Sequence, residues 1–213
     1  MLDAKAILGA IKAALAPGLV MGAADPKMLY PVLPEEALTG AVPSRLAEFS
    51  AGRTAARSAM GQLGHKPLAV PTGPDRAPVW PAALTGSVSH CAGVCVAVLG
   101  QRAHWSGIGI DVEPDQELEA SLWPTILRPE EQAFVQSGYD ALRIFVAKEA
   151  AYKAQYSKTQ TLFDFHALSM TVNGATFSAQ FQIDVGPFRR FDHLQGQFIC
   201  AGGYTAALVT IPV

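Results

Sequence analysis

GIGIDVEP, at residues 107–114, predicts a β-strand whose side chains alternate between two faces. The two isoleucines and the valine share one face, which is typical of a strand packed on a core. The opposite face carries two glycines followed by Asp111 and Glu113, whose side chains project together, roughly 6–7 Å apart along the strand. Because the glycines remove side chains from that face, we expect a ligand to lie close to it.

Two carboxylates on one face repel each other, and a bound cation removes that penalty. Carboxylates combined with water and phosphate oxygens are typical ligands of magnesium. Asp111 and Glu113 therefore suggest a magnesium site. On these eight residues alone, a solvent-facing strand with two exposed acids is the favoured alternative.

FVAKEAAYK, at residues 145–153, predicts a helix on which Glu149 and Lys153 are neighbours, because they lie four positions apart. Such a pair is usually an ordinary surface ion pair. Here Phe145, Tyr152 and two alanines surround the charges, so the helix is apolar on much of its circumference. This favours a carboxylate inside a cleft.

SVSH, at residues 87–90, follows a glycine and opens a predicted strand. Hydroxyls, backbone amides and a histidine at such a turn can bind an anion, although a histidine satisfied within the turn is the alternative. Arg76 lies in the preceding loop. Three more arginines share the predicted helix before it and could equally form a solvated face: Arg45, Arg53 and Arg57.

Composition indicates a globular protein: half of the 213 residues are hydrophobic and 16% are charged. The formal net charge of -2 gives no bulk attraction to nucleic acid or to an anionic membrane. No apolar run reaches the roughly 18 residues of a membrane-spanning helix. The first twenty residues predict an amphipathic helix and not a signal peptide. A signal peptide needs an uninterrupted apolar centre, and Asp3, Lys5 and Lys12 interrupt the apolar run here.

Three cysteines without CxxC spacing argue against a disulfide framework or a zinc site. We therefore expect free thiols and a cytoplasmic protein. Periodicity predicts further helices at 44–63, 129–137 and 140–157, and irregular chain at 21–43 and 66–83. The predicted strands are 87–99, 106–113, 167–172, 176–183, 197–199 and 204–211.

The triplet Cys-Ala-Gly occurs twice, as Cys91-Ala92-Gly93 and as Cys200-Ala201-Gly202, and each copy leads into a predicted strand. The order of loop, helix and strands also repeats. The expected fold class is therefore α+β, with two similar halves that meet near residue 105.

Taken together, SVSH (87–90), GIDVE (109–113) and FVAKEAAYK (145–153) resemble the 4'-phosphopantetheinyl transferases of the surfactin/enterobactin-type branch. Upstream, RLAEFSAGRTAAR (45–57) and APVWPAALTGSVSHC (77–91) look like the enterobactin-type proteins. LFDFHALSM (162–170) fits the strand that follows in the family. The resemblance covers roughly residues 30–172, with matching order and spacing.

The resemblance implies a pseudo-twofold monomer of two similar α/β halves, with coenzyme A bound between them. Residues 1–105 would form the coenzyme phosphate and adenine side, and residues 106–213 the metal and catalytic side. It implies a magnesium site, with manganese as a substitute, formed by Asp111, Glu113 and Glu149. The implied phosphate contacts are Arg53, Arg76, Ser89 and His90, with Arg45 as a less certain addition.

The implied reaction transfers 4'-phosphopantetheine from coenzyme A to a serine of an apo acyl or peptidyl carrier protein and releases 3',5'-ADP. Siderophore or other secondary-metabolite synthesis is the implied context. Glu149 is the first choice for the base that takes the serine proton, with Glu113 or a metal-bound water as rivals. Lys153 is expected to neutralise charge on the bridging phosphate oxygen.

Two other functions remain open at this stage. A magnesium-dependent nucleotide or coenzyme A phosphodiesterase would use the same acids and lysine with water as the nucleophile. A non-catalytic coenzyme-binding or carrier-binding module is the second alternative. The full set of Asp111, Glu113, Glu149 and Lys153 argues against the second alternative, because a protein that only binds its ligand does not need it.

Overall fold

The computed structural model describes residues 1–38 and 40–213, which fold into two antiparallel sheets and five α-helices. The helices are α1 (Ala4–Ala14), α2 (Pro43–Gln62), α3 (Trp123–Ile126), α4 (Pro129–Gln132) and α5 (Gly138–Thr159). The strands are β1 (Leu19–Ala24), β2 (Leu84–Cys91), β3 (Val94–Gln101), β4 (Trp105–Pro114), β5 (Leu168–Asn173), β6 (Thr176–Phe181), β7 (His193–Ala201) and β8 (Tyr204–Pro212). The mixed α+β class is confirmed.

One sheet has the strand order β1-β3-β2, and the other has the order β4-β8-β7-β6-β5. The long helix α2 packs on the first sheet, and α5 packs on the second. The motif strand β4 is an edge strand of its sheet, and β2, which carries SVSH, is an edge strand of the other. Both predicted functional stretches therefore lie at sheet edges.

These two edges meet, and serine side chains join them. The hydroxyl of Ser87 accepts the Ile110 N–H at 3.1 Å, and the hydroxyl of Ser89 accepts the Val112 N–H at 3.3 Å. Backbone donors at a buried sheet edge need such partners, because an unpaired buried N–H is costly. The seam between β2 and β4 therefore fixes SVSH directly beside the acidic strand.

The alternation predicted for residues 107–114 is confirmed. Ile108, Ile110 and Val112 are fully buried in a cluster that both sheets share, and Ile7 and Ile11 of α1 cover it. Asp111 therefore faces the opposite side, toward α5.

The two glycines of β4 have a different role from the one that we predicted. A Cβ atom on Gly109 would overlap the carbonyl oxygen of Ala150, and one on Gly107 would overlap that of Ala154. The backbone of α5, and not a ligand, occupies the space that the glycines leave. The prediction was wrong because strand alternation does not show which element covers a face.

Three predicted elements also differ from the structure. The segment 87–99 is a hairpin of β2 and β3, and it turns at Gly93, whose φ of 81° suits glycine. The predicted irregular region 21–43 overlaps strand β1, which pairs with β3. The predicted helix 129–137 ends at Gln132, and Ser137 then caps the separate helix α5.

The short helix α3 (Trp123–Ile126) was not predicted. The other helices and strands lie within a few residues of their predicted positions. All three cysteines are free, as expected, and burial raises the pKa values of Cys91 and Cys95 to about 12. Within residues 1–38 and 40–213, no helix has the length and apolar character needed to cross a membrane.

Candidate active site

Asp111 lies at the centre of the site, on β4, and is 4% exposed. Its Oδ1 accepts hydrogen bonds from the Ser89 hydroxyl at 2.9 Å and from the Lys153 ammonium at 2.6 Å. Its Oδ2 is buried and has no hydrogen-bond partner. One oxygen of the carboxylate is therefore fixed by the protein, and the other is left for a further ligand.

Lys153 reaches Asp111 from α5. Its ammonium also donates to the Ile110 carbonyl at 3.3 Å and lies 3.8 Å from Glu149 Oε2. Burial alone would lower the pKa of Lys153, but the carboxylates of Asp111 and Glu149 outweigh it and raise the pKa above its usual value. The side chain is therefore a stable cation at neutral pH.

Glu113 and Glu149 complete the acidic group. Burial, with a further contribution from Asp111, raises the pKa of Glu113 to about 7, while Lys153 opposes the shift. Burial and Asp111 likewise raise the pKa of Glu149 against the influence of Lys153. One lysine thus does not compensate three neighbouring carboxylates, and an additional cation would favour their ionised forms.

Among the residues that the structure describes, no three His, Cys, Asp or Glu side chains are gathered closely enough to hold a metal ion. Asp111 was expected to bind a metal ion, and in the structure the ammonium of Lys153 contacts its carboxylate. The chemistry of the group still fits magnesium, because its members are carboxylates and Asp111 Oδ2 is buried without a partner.

A cavity of about 570 Å³ adjoins this acidic group, between α2, the loop 73–80 and the second half of α5. Five of the predicted site residues line it: Arg45, Arg53, Arg76, His90 and Lys153. Ser89 lies apart, in the seam between the sheets, where its hydroxyl donates to Asp111. The structure therefore collects the predicted cations at one cavity beside the predicted acids.

Arg53 forms part of the cavity wall and is 6% exposed. One guanidinium nitrogen donates to the Thr72 hydroxyl at 3.0 Å, the group lies 4.2 Å over the Phe49 ring, and Nε has no partner. Burial, together with Arg45 and Arg57, lowers the pKa of Arg53 to about 10, against an opposing effect of Glu36. An anion in the cavity would supply the missing partner.

His90 lies near a second arginine of α2. Arg45 Nη1 is 3.1 Å from His90 Nε2, and both side chains approach Glu48. Burial lowers the pKa of His90, and Arg45 and Lys153 add to this against Glu48. A neutral imidazole that accepts from Arg45 is consistent with that shift.

Arg76 is exposed at the rim of the cavity and has a φ of 69°, which is unusual for a residue other than glycine. Its N–H donates to the Gly73 carbonyl at 3.0 Å, and the Gly73 N–H donates to the Ala77 carbonyl at 2.8 Å. The turn thus holds the backbone of Arg76 in a strained conformation at the mouth of the cavity.

Comparison with known proteins assigns the chain to a family. The family described as "4'-phosphopantetheinyl transferase N-terminal domain" matches residues 33–100, and the "4'-phosphopantetheinyl transferase superfamily" matches residues 107–209. The chain is also 33% identical over 202 residues to 4'-phosphopantetheinyl transferase Svp of Streptomyces mobaraensis, covering 88% of this chain and 80% of that protein. This chain belongs to the 4'-phosphopantetheinyl transferase superfamily.

Two further relatives agree with this assignment. The 4'-phosphopantetheinyl transferase PptT of Mycobacterium tuberculosis is 37% identical in an alignment of 154 residues that covers 69% of this chain and 67% of PptT. Enterobactin synthase component D of Salmonella typhi is 36% identical in an alignment of 140 residues that covers 62% of this chain and 57% of that protein. As a member of this superfamily, the chain is a transferase enzyme.

The cavity of this phosphopantetheinyl transferase is also lined by residues that the sequence did not single out: Trp80, Arg102 and Tyr156. Tyr152, which the sequence analysis named only as an apolar neighbour of Glu149 and Lys153, lines it as well. Tyr152 and Tyr156 stack with ring centres 5.9 Å apart, one helical turn from each other. Their spacing on α5 was the available signal, but it does not show which helix face borders a cavity.

Proposed function

We propose that this chain transfers the 4'-phosphopantetheine group of coenzyme A to a serine of an apo acyl or peptidyl carrier protein, with release of 3',5'-ADP and with magnesium as cofactor. The observation that carries the proposal is the unpartnered Oδ2 of Asp111 beside a cavity lined by the buried Arg53, whose Nε also lacks a hydrogen-bond partner. The site thus offers acceptors for a metal and donors for phosphate side by side.

The proposed architecture is a pseudo-twofold monomer with halves 1–105 and 106–213. In support, the order β1-β3-β2 has its counterpart in β4-β8-β7. A Cβ on Gly22 of β1 would overlap the Ala55 carbonyl of α2, just as one on Gly109 would overlap the Ala150 carbonyl of α5. The Cys-Ala-Gly triplets lie at the β2–β3 and β7–β8 turns.

The two halves would divide the binding of coenzyme A. Arg53, Arg45, His90 and Arg76 of the first half, with Ser89 at the seam, would contact its phosphates. The second half would hold magnesium through Asp111 and Glu113. Glu149 would either complete the metal site or act as the base, which is our first choice, because one carboxylate does not readily do both. When bound, magnesium neutralises the pyrophosphate and stabilises the leaving group as a Lewis acid.

The chain's own residues would handle the proton and the developing charge. The carrier serine oxygen forms a bond to the β-phosphorus, and the bond from that phosphorus to the bridging oxygen breaks. Glu149 takes the serine proton, and burial raises the pKa of its carboxyl, which makes the carboxylate a stronger base. Lys153 donates to the bridging oxygen, which leaves on 3',5'-ADP.

Mass spectrometry of an apo carrier protein incubated with coenzyme A, magnesium and the enzyme tests the proposal. We expect the carrier serine to gain the phosphopantetheine mass, and excess chelator to stop the reaction. Release of 3',5'-ADP without a carrier would instead favour the hydrolase alternative. Coenzyme A binding with neither product would favour a binding module.

The relatives support a biosynthetic context. Since one of them is named enterobactin synthase component D, siderophore peptide synthesis is the carrier system that we propose to test first. The expected compartment remains the cytoplasm, where free thiols persist.

Arg76→Ala is expected to weaken coenzyme A binding about tenfold to a hundredfold, because a charged hydrogen bond contributes roughly 1.5–3 kcal/mol. The arginine lies at the rim of the cavity, where its planar fork can grip the 3'-phosphate that magnesium on the pyrophosphate leaves uncovered. Dephospho-coenzyme A lacks that phosphate, so the substitution should weaken its binding much less. Calorimetric titration with both ligands measures the difference.

Arg189→Ala is the matched control, because Arg189 is exposed and pairs with Asp184 outside the cavity. It should leave both affinities unchanged. Turnover of Arg76→Ala at saturating substrate should fall little, since this contact is remote from the reacting phosphorus. Equal losses for the two ligands would show that Arg76 does not contact the 3'-phosphate.

A further inference from the structure

The tripeptide Pro-Glu-Glu occurs twice, at residues 34–36 and 129–131, once in each half of the chain. Each copy forms a short helical turn. In each, the second glutamate is buried: Glu36 is 1% exposed and Glu131 is 5% exposed. Neither lines the cavity. A buried carboxylate needs a structural or functional reason, because its desolvation is expensive.

Glu36 joins three separate segments of the first half. Its Oε2 accepts the Leu33 N–H at 2.9 Å and pairs with the guanidinium of Arg57 on α2. Its Oε1 accepts the Val70 N–H at 2.9 Å. Arg57 also donates to the Pro31 carbonyl at 2.8 Å. We call this set of contacts the N-terminal clip.

Glu131 makes the corresponding contacts in the second half. Its Oε2 accepts the Arg128 N–H at 2.8 Å and the Lys148 ammonium of α5 at 2.6 Å. Its Oε1 accepts the Met170 N–H at 2.7 Å. Lys148 also donates to the Ile126 carbonyl at 2.8 Å. We call this set the C-terminal clip.

The two clips match contact by contact. In each, the carboxylate accepts from the backbone three residues earlier, from a backbone N–H in a distant segment and from a cation on the long helix. In each, that cation also donates to the carbonyl five residues before the glutamate. Four independent correspondences indicate one device that is present in both halves.

Each clip holds the long helix close to residues of the site. Arg57 lies one helical turn after Arg53, which contributes to the cavity wall. Lys148 is the residue directly before Glu149, and Lys153 follows one turn later. Fixing a cation on one side of a helix fixes the rotation of that helix, because successive residues point about 100° apart.

We propose that the clips are positioning devices with separate tasks. The C-terminal clip sets Glu149 and Lys153 against Asp111, and the N-terminal clip sets Arg53 toward the coenzyme phosphates. None of the clip residues lines the cavity. This inference rests on the proposed function, because it concerns the two binding surfaces of that site.

Stability alone does not account for a buried ion pair, since an apolar pair of similar volume is often as stabilising. In each clip, both oxygens of the carboxylate accept hydrogen bonds, and the cation donates to a backbone carbonyl as well as to the carboxylate. These contacts restrict the position and rotation of the long helix. A misplacement of about 1 Å can cost an enzyme roughly a hundredfold in rate. The geometric restriction therefore has a use at this site.

Glu131→Gln and Glu36→Gln are a matched pair of tests, because the same isosteric change removes the same charge from each clip. We expect Glu131→Gln to lower turnover about tenfold to a hundredfold and to raise the magnesium concentration required, with metal-free coenzyme A binding unchanged. We expect Glu36→Gln to weaken metal-free coenzyme A binding about tenfold, with turnover at saturation within about threefold of normal. Calorimetry, steady-state kinetics and melting temperatures report these quantities.

The crossed pattern supports positioning, since both variants should lower the melting temperature while they affect different steps. Equal losses of turnover and coenzyme binding in both variants, or no loss in either, overturn the proposal. If a single variant does not fold, the doubles Glu131→Gln/Lys148→Met and Glu36→Gln/Arg57→Met leave no unpaired buried charge and should show the same pattern. A wild-type protein that binds coenzyme A without transfer would refute the proposed function, while the binding half of the pattern would still test the clips.

Discussion

Glu149→Gln is expected to reduce turnover about 10²- to 10⁴-fold, the range in which a positioned general base contributes. The change keeps the shape of the side chain and removes its ability to take the serine proton. Coenzyme A affinity in magnesium should stay close to normal, because the cavity arginines are untouched. Single-turnover transfer to an apo carrier and calorimetric titration of coenzyme A measure the two quantities.

Asp111→Asn is the comparison for this prediction. Asp111 accepts from both Ser89 and Lys153 and has the free Oδ2. The uncharged asparagine should therefore weaken metal binding and lower turnover together. Glu113→Gln tests the rival base. Loss of coenzyme binding in Glu149→Gln as severe as that in Asp111→Asn would assign Glu149 to the metal, and a larger rate loss in Glu113→Gln would transfer the role of base.

Lys153→Met is expected to lower transfer about 10²- to 10³-fold, as removal of one positioned electrostatic stabiliser does in other enzymes. Metal binding should be retained or become tighter, because Lys153 forms a 2.6 Å ion pair with Asp111 Oδ1 and its loss leaves that oxygen with only the Ser89 hydroxyl as a partner. Manganese binding followed by electron paramagnetic resonance, alongside transfer kinetics, separates these two effects.

Lys158→Met is the control for that variant. Lys158 is an exposed lysine on the same helix, and its ammonium lies 5.8 Å over the Phe188 ring, outside the cavity. Its loss should leave transfer and metal binding unchanged. If Lys153→Met abolishes metal binding instead, the lysine organises the acids and does not act on the bridging oxygen.

The sequence alone was sufficient wherever a local period or spacing determines structure. Residues 107–114 form a strand with one buried face because side chains alternate along any strand. Glu149 and Lys153 are neighbours because four residues make about one helical turn. The family motifs also rest on order and spacing, which a one-dimensional pattern preserves.

Residues whose partners lie far away in the chain could not be assigned from the sequence. The spacing of the arginines on α2 predicted that Arg57 lies on a solvated face or binds an anion, yet it pairs with the buried Glu36. Lys148 is one letter within a motif, and its partner Glu131 lies in a short helix whose extent was predicted wrongly. Charge says nothing about burial until a partner across the fold is known.

Strand β4 shows which features the sequence predicts and which only the tertiary structure decides. Its alternation of apolar residues with glycines and acids predicted a core face, which is confirmed, and a candidate functional face, because residues two apart in a strand share a side. Only the tertiary structure decided that α5 occupies the space beside Gly107 and Gly109 and that Ser89 meets Asp111. The physical reason is that periodicity is a property of the local backbone, whereas the neighbour of a face is selected by the packing of the whole chain.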